Sequence, residues 1–249
     1  MMMIERIVLL LRIAATLVLM STCALVMLLV AIATLFHLRR FYSKSIATPL
    51  GRLVLRLWGV RVRLHSTAPF PSGQVVYISN HTSTIDLFAL IALGLPNTRF
   101  FLSGYLRKLL PLGLIGYLIG IFWTVPQDYP EQRRKIFCRA TEVLRRSRES
   151  VYLSPEGTRV TSGEIGPFNK GSFHLATSLG APIVPLFIAI PSAINPGREL
   201  NAAAGVVDVY VHEAIPTSTW RVEDVVAHKE EIRERFAEWN RAYRNGKPT

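Results

Sequence analysis

Cysteine is scarce. The 249-residue chain has two, Cys23 and Cys138. That number excludes a disulfide framework and a zinc site of four cysteines. Cys23 also lies inside a long apolar run, which argues against a site of two cysteines and two histidines. So few thiols fit a reducing compartment. Acidic residues are short as well: 17 Asp and Glu face 29 Lys and Arg, a net charge of +12. A balance this positive points to a polyanionic neighbour, whether nucleic acid, an anionic membrane surface or a phosphorylated small molecule. Neither Gly-x-Gly-x-x-Gly nor a Walker A loop occurs, so nucleotide-dependent chemistry has no support. No Gly-x-Ser-x-Gly elbow is present to suggest an α/β-hydrolase. Helix-turn-helix, zinc-finger and RNA-binding aromatic signatures are missing too, which makes nucleic acid the weakest partner. With half its residues hydrophobic, the chain is not a disordered one.

That apolar content is concentrated at the start. Ile13 to Phe36 carries no charge over 24 residues. As a helix it would be about 36 Å long, enough for a hydrocarbon core of roughly 30 Å. His37, Leu38, Arg39 and Arg40 close the run, a stop-transfer pattern rather than a cleavage site. More basic residues follow the run than precede it, so the remainder is expected on the cytoplasmic face of the cell membrane. Ile46 to Trp58, with Arg52 and Arg56 at helical spacing, reads as an interfacial helix whose arginines reach headgroups. This gives an expected membrane segment over 1–59 and a cytoplasmic domain over 60–249.

In the domain, short β-branched or aromatic runs read as buried strands. They are Val75–Ile78, Phe100–Leu102, Ile121–Thr124, Val151–Leu153, Ile183–Ile190 and Val206–Val211. Helical stretches alternate with them at Asp86–Leu93, Gln132–Arg148, Ser172–Leu179 and from Val222 to Tyr243. The fold class is therefore α/β, a sheet layered with helices. The basic stretch Arg133, Arg134, Lys135, Arg139, Arg145, Arg146 and Arg148 is either a solvated face or a contact for anionic lipid or donor phosphates.

The segment most suggestive of chemistry is Asn80-His81-Thr82-Ser83-Thr84-Ile85-Asp86, directly after a strand. Five residues on a helix rotate about 500°, leaving His81 and Asp86 about 140° apart. They meet only if His81 stands before the helix. Asp86 could then hold Nδ1 and leave Nε2 as a base. Ser83-x-x-Asp86 equally reads as a capping box. A metal site would lack an obvious third ligand. A His-Asp pair with no serine or cysteine partner suggests a base acting directly on a substrate hydroxyl. Three further blocks follow: Ser154-Pro155-Glu156-Gly157-Thr158-Arg159, then Phe168-Asn169-Lys170-Gly171, then Ala181-Pro182-Ile183-Val184-Pro185. Arginine suits bidentate phosphate binding, and Gly157 permits a tight turn.

Asn-His-x-Ser-x-x-Asp, Pro-Glu-Gly-Thr-Arg, Phe-x-Lys-Gly and Ile-Val-Pro, in this order, resemble the glycerolipid acyltransferase family. The likeness is nearest to its 1-acylglycerol-3-phosphate acyltransferase branch and spans roughly Leu57 to Ile190. It implies a mixed sheet of the glycerol-3-phosphate acyltransferase kind. His81 would be the general base and Asp86 its orienting partner, with Asn80 and Ser83 beside them. Glu156, Gly157, Thr158, Arg159 and Lys170 would bind the acceptor, and Pro185 would help shape the site. The donor would be acyl-CoA or acyl-carrier protein and the acceptor a lysophospholipid, with no metal or organic cofactor. One block departs from the pattern. Val125 stands where a Phe-x-x-Arg arginine is expected, and Arg107, Lys108, Arg133 and Arg134 are the nearby cations that could stand in for it. A lyso-ornithine lipid or another lysolipid therefore remains an alternative acceptor, and a non-catalytic lipid-binding protein an alternative role.

Overall fold

A computed structural model of the chain describes residues 2–37, 39–66, 68–195, 197, 199 and 201–246. The first helix, α1 (Met2–Ala33), has no glycine or proline to interrupt it. It is long and apolar enough to cross a membrane. It begins earlier and ends earlier than the charge-free run, because Arg6 and Arg12 fit the same helix. Chain reversal follows at Thr34–His37, where Leu35 and Phe36 take positive φ. Leu38 and the Arg40 side chain lie outside the described residues. Met20, Ala24, Met27 and Ala31, spaced four, three and four apart, form a buried stripe. Leu10, Leu11, Leu17, Val18, Leu25 and Leu29 remain exposed on the other faces.

A short helix, α2 (Arg39–Phe41), runs through a π-helical turn at Tyr42–Ala47 into α3 (Thr48–Leu57). The Trp58 indole N–H donates to Thr16 Oγ1 at 2.9 Å, tying the end of α3 to α1. Arg52 is exposed, and its Nε donates to the Ala92 carbonyl at 2.9 Å, where it satisfies an orphan helix-end acceptor.

Seven strands form one sheet in the order β1-β7-β6-β2-β5-β3-β4. These are β1 (Val60–Ser66), β2 (Val76–Ser79), β3 (Thr98–Ser103), β4 (Phe122–Thr124), β5 (Ser150–Leu153), β6 (Ile183–Ala189) and β7 (Gly205–Val211). β2 to β6 run parallel, and β7 turns antiparallel against β6, with β1 parallel to β7. The helices between and after them are α4 (Ile85–Leu93), α5 (Leu112–Ile119), α6 (Pro130–Ser147), α7 (Gly171–Leu179) and α8 (Val225–Arg244). The six expected strands form within two residues at each end. β1 and α5 are additions.

Strand alternation sorts the core into two layers. Tyr77, Tyr152, Val184 and Leu186 face the layer that holds α1, α3, α4 and α5. Val76, Ile78, Val151 and Phe187 face the layer of α6, α7 and α8. The first layer joins residues on both sides of the 59/60 boundary into one core. The basic helix α6 packs on the opposite side of the sheet from the apolar helix.

One ionic cluster fastens these parts. The buried Glu149 carboxylate accepts bonds from Arg39 Nη2 at 2.8 Å to each oxygen and from Arg99 Nε at 2.7 Å. Burial opposes its ionisation, but bonds from Arg39, Ser147 and Arg99 outweigh that and hold its pKa below the ordinary value. Glu149→Ala would leave two guanidinium groups without their counter-charge. We expect a loss of about 3–5 kcal/mol, read as a fall in Tm on the order of 10 °C for a chain of this size in detergent.

Candidate active site

β2 continues over β5 to β3, whereas β5 continues past β2 to β6. The two chains leave neighbouring strand ends in opposite directions and open a crevice there. Such a switch point at the carboxyl ends of strands is where α/β folds bind ligands. His81 follows β2 and Ser154–Arg159 follow β5, so both blocks arrive at this crevice.

His81 stands before α4, in the loop Asn80–Thr84. Its Nδ1 lies 2.8 Å from Asp86 Oδ2. The same oxygen accepts the backbone N–H groups of Thr82 at 2.7 Å and Ser83 at 3.0 Å. Asp86 therefore caps the helix start and orients the imidazole at once, so the two readings of its spacing describe one carboxylate. With Nδ1–H donating to that carboxylate oxygen, Nε2 is left as the acceptor. Nε2 has no hydrogen bond among the described residues, and 28% of the His81 side chain is exposed while Asp86 is buried. Ser83 Oγ accepts the Ile85 N–H. Asn80 spans to β6, donating from Nδ2 to the Ile188 carbonyl and accepting the Ile188 N–H, both at 2.8 Å. Asn80 and Ser83, both expected to bind substrate, are buried and hold the loop's shape.

Glu156 is buried too, against the expectation that it contacts the acceptor. Its Oε2 accepts the His81 backbone N–H. Oε1 accepts the Gly166 N–H at 2.7 Å. Asn169 adds bonds from Nδ2 to the Pro155 and Glu156 carbonyls at 2.9 and 3.0 Å, and the Val160 N–H reaches the His81 carbonyl at 2.8 Å. The first three sequence blocks are thus stitched together behind the imidazole. Gly157 has φ +70°, and a Cβ there would sit 3.0 Å from Asn169 Nδ2 and 3.1 Å from Gln127 Nε2. Backbone strain and crowding both require glycine.

Arg159 donates from Nη1 to Thr84 Oγ1 at 2.6 Å, which brings its guanidinium to the His81 loop. Gly157, Thr158 and Lys170 are exposed at the same rim. Pro185 is drawn away from it. It is buried in mid-strand, three residues before Ile188, and its carbonyl accepts the His212 N–H at 3.0 Å. It borders a cavity with His212, Glu213 and Trp239, which the His81 loop does not line. Gln127 and Arg133 were not singled out for this rim by any spacing, since only the fold returns the segment after β4 to it. Among the described residues no three His, Cys, Asp or Glu side chains cluster to hold a metal.

The sequence profile of the acyltransferase family matches residues 61–189, from β1 through β6. Human 1-acyl-sn-glycerol-3-phosphate acyltransferase beta is 31% identical over 214 residues, which is 82% of this chain and 76% of the human protein. The chloroplastic 1-acyl-sn-glycerol-3-phosphate acyltransferase BAT2 of Brassica napus is 33% identical over 150 residues. That alignment takes in 59% of this chain and 42% of the plant protein, so the chain spans less than half of that relative's length. The crystal structure of the 1-acyl-sn-glycerophosphate (LPA) acyltransferase PlsC from Thermotoga maritima superposes with a TM-score of 0.74. It is 18% identical and covers 95% of this chain and 97% of its own, so it shares the fold. The chain belongs to the acyltransferase family.

Burial pushes the Glu156 carboxyl up to about 7. Bonds from Gly166 and His81 pull against that rise, and the Asp86 charge adds to it. The folded state then binds this proton more tightly than the unfolded one. Stability from this group is full below the ordinary value of 4.5 and is lost as pH rises towards about 7. Glu156→Gln removes the titration. Thermal unfolding of the variant should show a shallower decline over that pH interval than the unmutated protein. An unchanged slope would assign the decline to another group.

Proposed function

We propose that this protein transfers an acyl chain from the thioester of acyl-CoA or acyl-carrier protein to the free hydroxyl of a lysophospholipid. The acceptor we favour is 1-acylglycerol-3-phosphate, and the product is phosphatidic acid. The observation that carries this reading is the His81–Asp86 pair, held at the crevice with Nε2 open and an arginine-bearing loop bonded alongside.

Nε2 takes the proton of the acceptor hydroxyl as its oxygen attacks the thioester carbonyl. The tetrahedral adduct collapses, the carbon–sulfur bond breaks, and the departing thiolate receives the proton from the imidazolium. Asp86 keeps the ring in the required tautomer and offsets its transient charge. The thioester supplies the driving force, so the step needs no redox or organic cofactor. The names of the relatives support the acceptor class. The exposed apolar faces of α1, with basic residues following it, support a membrane site on the cytoplasmic face, where a lipid acceptor resides.

Detergent-solubilised protein should form phosphatidic acid from acyl-CoA and lysophosphatidic acid. His81→Ala should lower that rate by about 10²–10⁴-fold. Asp86→Asn should lower kcat while leaving the KM of the donor nearly unchanged. Fatty acid released in the absence of acceptor would instead mark a thioesterase, and transfer undiminished in His81→Ala would overturn the general-base assignment.

A further inference from the structure

Arg133 lies in the first turn of α6, at the edge of the sheet where the parallel strands end. It is half-buried, unlike its neighbours Arg134 and Lys135, which are exposed. Its guanidinium carbon lies 5.9 Å from the centre of the Phe137 ring. That ring in turn packs against Gly171, next to Lys170, where a Cβ would lie 2.7 Å from the ring. Among the described residues the one hydrogen bond of the Arg133 guanidinium runs from Nη1 to the Val125 carbonyl, at 2.9 Å, and no carboxylate pairs with it. Burial holds its pKa below the ordinary guanidinium value. Arg39 and Arg99, also partly buried, share the Glu149 carboxylate.

A partly desolvated guanidinium with one neutral acceptor is a cation short of its anion. Its planar fork suits a phosphate held bidentately. The Val125 carbonyl lies one residue past the end of β4. Two residues further, Gln127 reaches the Gly157 turn, with its Nε2 3.1 Å from where a Cβ would stand. The segment 125–127 therefore links Arg133 to the loop that carries Arg159. Of the four cations near the arginine-free position 125, the fold brings Arg133 onto the Val125 backbone itself.

We infer that Arg133 binds the phosphate monoester of the acceptor, doing from helix α6 what Val125 on the strand end cannot. This rests on the reading of the acceptor as a phosphate-bearing lysolipid. Arg133 is then a specificity residue. It sets which headgroup is held and leaves the proton transfer at His81 alone.

The test compares two acceptors, lysophosphatidic acid and monoacylglycerol, with acyl-CoA and the full-length protein in detergent. Arg133→Ala should raise the KM for lysophosphatidic acid by about 10–100-fold, equivalent to about 1.4–2.7 kcal/mol, with kcat changed less than about threefold. It should leave any transfer to monoacylglycerol unchanged. Arg133→Lys should fall between. Adding Val125→Arg to Arg133→Ala should recover most of the lost KM, because the charge returns to the same place from the neighbouring backbone. A merely structural arginine would depress both acceptors and would not be rescued. An unchanged KM for lysophosphatidic acid would overturn the inference and leave the acyltransferase reading standing. Preference of the unmutated protein for the phosphate-free acceptor would overturn the inference together with the phosphate-bearing acceptor on which it rests.

Discussion

A single buried carboxylate organises the reaction centre. Glu156 gives one oxygen to the His81 backbone N–H and the other to the Gly166 N–H. A buried carboxyl group left without its hydrogen-bond partners costs about 1–3 kcal/mol, and more when it is charged. The two bonds are therefore interdependent. If either loop moved, the carboxylate would lose a donor it cannot replace, so the loop after β2, the loop after β5 and the segment before α7 are held as one unit. Asn80 extends the unit to β6. The open Nε2 of His81 is a reactive group on a fixed support, the condition that positioning a base requires.

How this arrangement shows in the sequence depends on who the partners are. Strands and helices were legible because β-branched runs and 3.6-residue periodicity are local. The His81–Asp86 relation was legible because the spacing admits one geometry. Asp86 performing two tasks was not, since the capping and orienting readings share the same residue types. The role of Glu156 was hidden for a different reason. Its partners are main-chain N–H groups, which every sequence contains, and only the fold selects two of them. Pro185 shows the opposite failure. It sits in a recognisable block, but the strand carries it into the sheet interior and away from the imidazole.

The two unanticipated elements have simple causes. β1 alternates Arg61 and Arg63 with Val60, Val62 and Leu64, a pattern suited to an edge strand protected by charge. α5 contains Gly113 and Gly116, which weaken a helical signal. Both glycines are contact points. A Cβ at Gly113 would lie 2.1 Å from the Arg107 carbonyl oxygen, and one at Gly116 would lie 2.5 Å from the Trp123 ring. The charge pattern also has a division of labour. The long apolar helix and the arginine-rich helix α6 occupy opposite sides of the sheet, so α6 carries its basic residues on the side away from the apolar helix.

The pairing of β1 with β7 sets an order of events during synthesis. Val60 pairs with Gly205, 145 residues later in the chain. A ribosome adding about 5–20 residues per second needs on the order of ten seconds to supply that partner. For that interval the apolar helix and the segment behind it are complete, but the strand joining them to the sheet has nothing to pair with. Its two arginines then guard an edge that is temporarily open on both sides. Until Gly205–Val211 is made, the N-terminal helices can pack on α4 and α5, but β1 has no strand through which to join the sheet, three strands from the reaction centre.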